Sequence, residues 1–538
     1  MIEKKSSEVF EDISNLERCE VSSTKTKGSS NKVQSEDLNR ALTSRQIRMI
    51  TLAGIIGTGL FLGGSALADA GPLSMLLVYL IIGLVVFLTM LSLGEMATQF
   101  PVSGSFTTYA KRFGSESFGF AMLTNYWLND AISVASDLTA LQLVLAYWTN
   151  FPFYVVSLIF WVFLLFLNVI HVKLYGETEY WLSLLKIVTI VIFFIVAIVV
   201  NAGGNTLHEY IGFKYWSMGD APFVNGFKGF AGVFVTAAFA YGGVESVTLT
   251  AAEQKNPTRT MPTVIRTVFW RILIFYVFTM FFIGMNVPYN YPNLSTKEAA
   301  TSPFTIVFQM VGAKGAASFM NAVIMTSVIS AGNHALFAGS RLAYNLSIQG
   351  YIPKVFTRVN RFKIPYVAVI FTWLCGGLSF GSSFIGAGEL WSWLQSIVGL
   401  SNLISWWVIS VISIRFRRGL ARQGRTDELL FKNWTYPYGP WFVSIFVAFV
   451  ILVQGWSSFS PFSANDFFKS YVELAVFPLT FAIWWVIKKG KDKFVKFEDM
   501  DFDSDRYFET EEDKEENAHL DSLRGLQKLK HNLLSSFL

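Results

Sequence analysis

Charged side chains are scarce inside the apolar stretches of this chain, and the few present mark where chemistry could be done. Asp130 and Asp137 lie seven residues apart, so a helix would set them on one face with Asn129 and Ser133 as neighbours. Lys186 and Glu245 occupy two further apolar stretches. A charge at the centre of a bilayer costs about 2.5 kcal/mol or more on insertion scales, so each of these is a functional suspect. A lysine kept from water can release and regain a proton; the plainer account of Lys186 is an ammonium that reaches the headgroups. Glu245 is a second candidate for handling a proton or a cation. Capping or pairing is the simpler account of Asp130, whereas Asp137 is expected toward a pocket. Glu95 and Glu253 fall near the ends of their stretches, where pairing with loop arginines suffices.

Bare backbone is the second source of chemistry. Gly54, Gly57 and Gly59 crowd around Thr58, at about 1 kcal/mol each in a helix interior, which predicts a broken helix. Gly242 and Gly243 predict the same within Thr236–Glu245. Interrupted backbone in a bilayer is tolerated where it lines a protected cavity; the alternative is that the glycines only let helices pack closely. Amide N–H groups around Ile56, Gly57, Thr58 and Gly59 would face an anion at a positive helix end, and glycine lets a ligand approach the main chain. Carbonyls around Phe239, Ala240, Tyr241 and Gly242 would accept from a cation. Tyr241 reads equally as an aromatic gate and as packing.

The elements that must hold these groups are membrane helices. Of 538 residues, 52% are hydrophobic and 15% charged, against about 25% charged in an average soluble chain. Twelve apolar stretches run from 49–68 to 468–488, each of about 20 residues, the length a bilayer core requires. Lys and Arg crowd the alternate loops, among them Lys111, Arg112, Arg341, Lys354, Arg358, Arg415, Arg417 and Arg422, whereas the opposite loops hold only Lys214, Lys228, Lys297, Lys314 and Lys469. By the positive-inside rule both termini are cytoplasmic. Residues 1–46 read as a disordered tail without the apolar core of a cleavable signal peptide, residues 47–488 as the membrane domain, and residues 489–538 as a second tail. Where the domain meets that tail, Lys488, Lys489, Lys491, Lys493 and Lys496 suit anionic lipid, and the acidic run from Glu498 to Glu516 is expected to be solvated and disordered. Leu526, Leu529, Leu533 and Phe537 carry a weak amphipathic pattern.

The same inventory excludes other classes. Cys19 and Cys375 imply no disulfide framework. A net charge of +5 over this length reads as topology, not as nucleic-acid binding. No nucleophile triad, catalytic carboxylate pair or Cys/His metal spacing stands out, so neither an enzyme nor a metal or other cofactor is expected. Asn293-Leu294-Ser295 is a glycosylation sequon in an outer loop.

Several motifs together resemble a known family. They are GIIGTGLFLGG in the first span, SLGEMATQFPVSGSF at Ser92–Phe106, YGETEYWLSLLKI opening the fifth span, AAEQKNPTRTMP at Ala251–Pro262, SAGNHALFAGSR at Ser330–Arg341 and IRFRRGLARQGRTDEL at Ile414–Leu429. In this order, over about residues 40–488, they resemble the fungal amino acid permeases, the yeast amino acid transporter family of the amino acid-polyamine-organocation superfamily. The resemblance implies an all-α membrane protein of twelve transmembrane helices, a five-plus-five inverted repeat (LeuT-like) with broken helices 1 and 6 and two additional helices. It further implies proton-coupled symport of L-amino acids across the plasma membrane, with endosomal or vacuolar membranes as the other locations.

On that footing the substrate carboxylate would sit at Ile56–Gly59, its ammonium at Phe239–Gly242, and Asn129, Ser133 and Asp137 would line the pocket. Lys186 would couple the proton, as a lysine at this place is proposed to do in a bacterial relative. Basic substrates, lysine and arginine, are one expected range and a broad or neutral range the other. A permease-like amino acid sensor is the rival from another class; such sensors resemble permeases with a much longer N-terminal tail. Expected partners are the substrate, protons and the bilayer, with ubiquitin-ligase or trafficking machinery on the tails. The chain departs from the family in Ala251-Ala252-Glu253, in Asp137 where a Glu is frequent, and in ending Ser536-Phe537-Leu538, so terminal palmitoylation is not expected.

Overall fold

The computed structural model describes residues 56–511 and 514, apart from 103, 150–151, 171, 254–256, 293, 295–300, 314, 460 and 512–513. The tail 1–46, Gly54, the sequon residue Asn293, the Glu253 side chain and the amphipathic pattern after residue 525 lie outside the described residues.

The described chain opens with a short helix α1 (Thr58–Phe61), then α2 (Gly64–Gln99), α3 (Ser105–Phe113), α4 (Glu116–Leu145), α5 (Phe153–Ile170) and α6 (Val172–Asn201). After a loop come α7 (Gly226–Tyr241), a 3-10 segment Val244–Glu253, α8 (Pro257–Arg271), a π-helical turn Ile272–Phe278 and α9 (Thr279–Asn286). The remainder is α10 (Pro303–Met310), α11 (Ala316–Ile348), α12 (Tyr366–Cys375), α13 (Ser382–Ile385), α14 (Ala387–Arg422), α15 (Tyr438–Val453) and α16 (Ala464–Ile487). Among the described residues nine helical stretches are long and apolar enough to cross a membrane.

Length and glycine explain where the helices break. At 36 residues, a straight α2 would be about 54 Å long, well beyond the ~30 Å hydrocarbon core. It is interrupted at Gly71, whose φ of 82° and ψ of 171° suit only glycine, next to Pro72. α7 ends at Tyr241; Gly242 leaves the helical region and Gly243 adopts φ 82°, after which the chain resumes as the 3-10 segment.

α4 is the central pillar, packed chiefly on α11 and α14. Glycines on α11 permit this approach: a Cβ at Gly332 would lie 3.3 Å from Asp137 Cβ, and one at Gly339 would lie 3.0 Å from Asp130 Cβ. Asp130 and Asp137 therefore do share a face, set against two glycines at the same seven-residue spacing. Large apolar side chains such as Ile159, Ile195, Ile445 and Leu479 are exposed on α5, α6, α15 and α16, a surface suited to lipid.

The acidic segment after α16 differs from its expectation of solvated disorder. Residues 492–507 are docked across the ends of α2, α3, α4 and α14. Asp492 accepts from the Glu116 and Ser117 amides that open α4, at 3.3 and 2.7 Å, and Lys488 pairs with Glu116 at 2.9 Å. Val495 N–H donates to the Gly114 carbonyl at 2.8 Å, while Gln423 Nε2 donates to the carbonyls of Phe497, Glu498 and Met500. Phe502, 2% exposed, enters a cluster with Phe100, Phe113 and Phe416. Arg112 donates to the Asp501 and Ser504 carbonyls. Burial acts to raise Asp501, but the Ser504 hydroxyl, the Ser504 and Asp503 amides and Arg112 outweigh it and hold its carboxyl down at about 2. The apolar residues interspersed among the acids supply the burial that charge counting overlooks.

Candidate functional site

The start of α1 and the end of α7 meet. A Cβ at Gly59 would lie 2.5 Å from Ala240 Cα and 2.9 Å from Phe239 Cδ1, so α1 and the end of α7 touch through bare backbone. Thr58 and Gly59 open α1, where first-turn amides have no intrahelical acceptor, and Gly57 caps the helix without a side-chain hydrogen bond. Ile56 is fully buried beside them. Thr58 Oγ1 donates to Asp137 Oδ1 at 2.5 Å, tying α1 to α4. Ser133, one turn earlier on α4, is half-buried.

At the other interruption the Phe239 carbonyl accepts from Gly242 N–H at 3.3 Å, and the Ala238 carbonyl accepts from Asn402 Nδ2 at 3.1 Å. A Cβ at Gly242 would run into that Asn402 amide, 2.1 Å away. Asn129 donates through Nδ2 to Asn402 Oδ1 at 2.8 Å and to the Val398 carbonyl at 3.1 Å, so its amide braces α4 against α14. Tyr241 is fully buried, stacked on Tyr276 with centroids 4.2 Å apart, and its hydroxyl donates to the Tyr79 carbonyl at 3.0 Å.

Lys186 is 1% exposed and lies among groups from α4, α6 and α11. Its Nζ donates to Ser330 Oγ of α11 at 3.0 Å, and the carboxylates of Glu179 and Asp137 act on it electrostatically. Ser330 in turn donates to Glu179 Oε2 at 2.6 Å, and Asn333 Nδ2 donates to Glu179 Oε1 at 3.0 Å. Asn168 of α5 completes the row by donating to Asn333 Oδ1 at 2.9 Å. Reading the sequence missed Glu179. The signal was there: an acid in an apolar stretch, seven residues before Lys186 and so on its face.

Glu245 belongs to a different group. Its Oε2 accepts from Trp406 Nε1 at 3.1 Å, and Tyr126, Asp130 and Arg271 surround it electrostatically. Glu95, as expected, pairs with an arginine, Arg417, at 2.8 Å. Among the described residues no group of three or more His, Cys, Asp or Glu side chains is gathered to hold a metal ion.

Comparison with known proteins gives this arrangement a family. The family model described as amino acid permease matches residues 46–496. A probable amino-acid permease of Schizosaccharomyces pombe is 41% identical over 88% of this chain and 96% of its own. The lysine-specific permease of Escherichia coli is 38% identical over 90% of this chain and 99% of its own, and the general amino-acid permease of Saccharomyces cerevisiae is 37% identical over 87% and 80%. Among solved structures, a manganese transporter of Eremococcus coleocola shares the fold with a TM-score of 0.55 at 11% identity, covering 82% of this chain and 94% of that one. A helical membrane body in which the start of α1 meets the end of α7 beside a buried carboxylate and lysine, matched along most of its length by permeases, belongs to the amino acid permease family.

Proposed function

We propose that this permease imports L-amino acids across the plasma membrane by proton-driven alternating access, with both termini in the cytoplasm. The architecture we assign is twelve spans in a five-plus-five inverted repeat with helices 1 and 6 broken, α1 and α7 carrying the described parts of the two breaks. The substrate carboxylate takes the amides of Ile56–Gly59, its ammonium the carbonyls around Phe239–Gly242, and Asp137 the pocket wall.

The observation that carries this reading is the Thr58–Asp137 hydrogen bond at the first interruption, with Lys186 in electrostatic reach of the same carboxylate. One step of the cycle can then alter both substrate contacts and protonation. Asp137 is a natural counter-charge for a cationic side chain, which favours lysine and arginine, as does the lysine-specific relative. The general permease relative supports a broad range as the second reading. Competition of labelled lysine uptake by each of the twenty amino acids, in a permease-deficient cell at several external pH values, tests both. Basic amino acids should compete best and uptake should rise toward acid pH and collapse with a protonophore. Uptake indifferent to pH and protonophore would remove the proton coupling.

A further inference from the structure

Ser330 stands between an amine and a carboxylate. Its Oγ accepts from Lys186 Nζ at 3.0 Å and donates to Glu179 Oε2 at 2.6 Å. Lys186 and Glu179 are seven residues apart on α6, about 10 Å along its axis, and a hydroxyl from the facing α11 closes that gap. Glu179 and Ser330 are fully buried. Placing a carboxylate and an ammonium out of water is costly even when they are paired, and a packed apolar face would serve the contact of α6 with α11 without that cost.

Glu179 is also held for a purpose: Asn333 fixes its second oxygen and Asn168 fixes Asn333, so α5, α6 and α11 all orient one carboxylate. The other titratable groups facing the pair are Asp137 from α4, Tyr175 from α6 and His334 from α11, with Arg341 of α11 acting on Tyr175 and His334 and Asp130 of α4 acting on Tyr175. Tyr175 and His334 are engaged with each other at 2.9 Å.

We propose that Glu179 is the acceptor to which Lys186 passes its proton, with the Ser330 hydroxyl as carrier. In that step a Lys186 N–H bond breaks and its proton forms a new O–H bond at Ser330, while the original Ser330 proton moves to Glu179 Oε2. The products are a neutral amine, an intact hydroxyl and a neutral carboxylic acid, so one proton has moved and no atom is left over. Because α6 begins on the cytoplasmic side in the topology assigned above, Glu179 lies nearer the cytoplasm than Lys186, and the transfer is inward. Asp137 then meets an amine in place of an ammonium, which loosens what it holds at the first interruption.

This inference rests on the reading that Lys186 carries the coupling proton, so the test has two arms. The first is wild-type uptake with and without a protonophore across external pH. The second is Glu179→Gln, Ser330→Ala and Ser330→Thr, each scored for surface level, net uptake, its pH profile and exchange of internal for external lysine. We expect Glu179→Gln and Ser330→Ala to lower net uptake about a hundredfold, the scale of a lost proton-transfer group, and to flatten its pH profile, while exchange persists and Ser330→Thr restores both. A protonophore-sensitive wild type whose Glu179→Gln variant keeps net uptake and pH profile overturns the relay and leaves the permease reading standing. Equal loss of uptake and exchange in Ser330→Ala, unrescued by Thr, also overturns it. A wild type insensitive to both pH and protonophore removes the reading and the relay together.

Discussion

The row of Lys186, Ser330 and Glu179 and the group around Glu245 are both buried, charged and in contact with α4, yet their hydrogen bonds differ in kind. A serine hydroxyl donates and accepts at once, so the Lys186–Ser330–Glu179 row is continuous for a proton. Trp406 offers Glu245 an indole N–H, which only donates. That link orients a carboxylate between α14 and the 3-10 segment, where the Tyr126 hydroxyl of α4 also reaches it, but no lysine shares the row. The first row also reaches the interruption at Thr58 through Asp137, whereas the second sits beside Tyr126 and Asp130, earlier on α4 and away from that bond. The lesson is that two membrane carboxylates of equal burial are told apart by the company each keeps, a serine shared with a lysine in one and an indole and a phenol in the other.

Exchanging the roles of the two groups would break this contrast most forcefully. Lys186→Ala should lower concentrative uptake about a hundredfold and abolish its pH dependence while internal-for-external exchange survives, whereas Glu245→Gln should retain a wild-type pH profile. If instead Lys186→Ala still accumulates substrate with wild-type pH dependence and Glu245→Gln does not, Glu245 is the carrier.

A smaller effect sharpens the boundary between proton path and substrate pocket. Asp137→Asn keeps an acceptor for Thr58 but loses the charge, and a hydrogen bond to a charged group is worth about 1.5–3 kcal/mol. Lysine uptake should therefore weaken by roughly ten- to hundredfold more than leucine uptake, as apparent affinities measured side by side. Equal losses for both substrates would place Asp137 in the coupling path alone.

The smallest expected change is at Trp406. Replacing it by Phe removes the donor to Glu245 and should cost about 1–3 kcal/mol of stability, the range for leaving a buried polar group unpaired, seen as a lower melting temperature in detergent. The pH profile of uptake should not move. A shifted profile would show that the Glu245 group takes part in the proton cycle after all.

Much of this was legible in the residues. Gly57, Gly59, Gly242 and Gly243 are costly in a helix; Gly57 stands extended before α1, and α7 ends at Gly242–Gly243. Asp137 and Lys186 are costly in a bilayer, and both lie in the interior beside the first interruption. What the sequence hides is partnership. Glu179 gains its meaning from Ser330 and Asn333, more than 150 residues away, and no local pattern announces which face of α11 meets α6. Tyr241 illustrates the same limit: nothing in its place in the chain announces that it stacks on Tyr276 and donates to the Tyr79 carbonyl. The acidic tail misled for a further reason, since its net charge masks Met500 and Phe502, which are the residues that dock.

That docked tail has a consequence for how the molecule is made. Arg112 finds the Asp501 carbonyl 389 positions later in the chain, which at translation speeds of about 5–20 residues per second is an interval of roughly 20–80 s. Until then the pocket formed by Phe100, Phe113 and Phe416 stands open to water and the Gly114 carbonyl lacks the Val495 amide. A late stretch of the chain thus seals early helices, and a chain interrupted before it remains recognisable by an uncovered apolar rim at Phe100, Phe113 and Phe416.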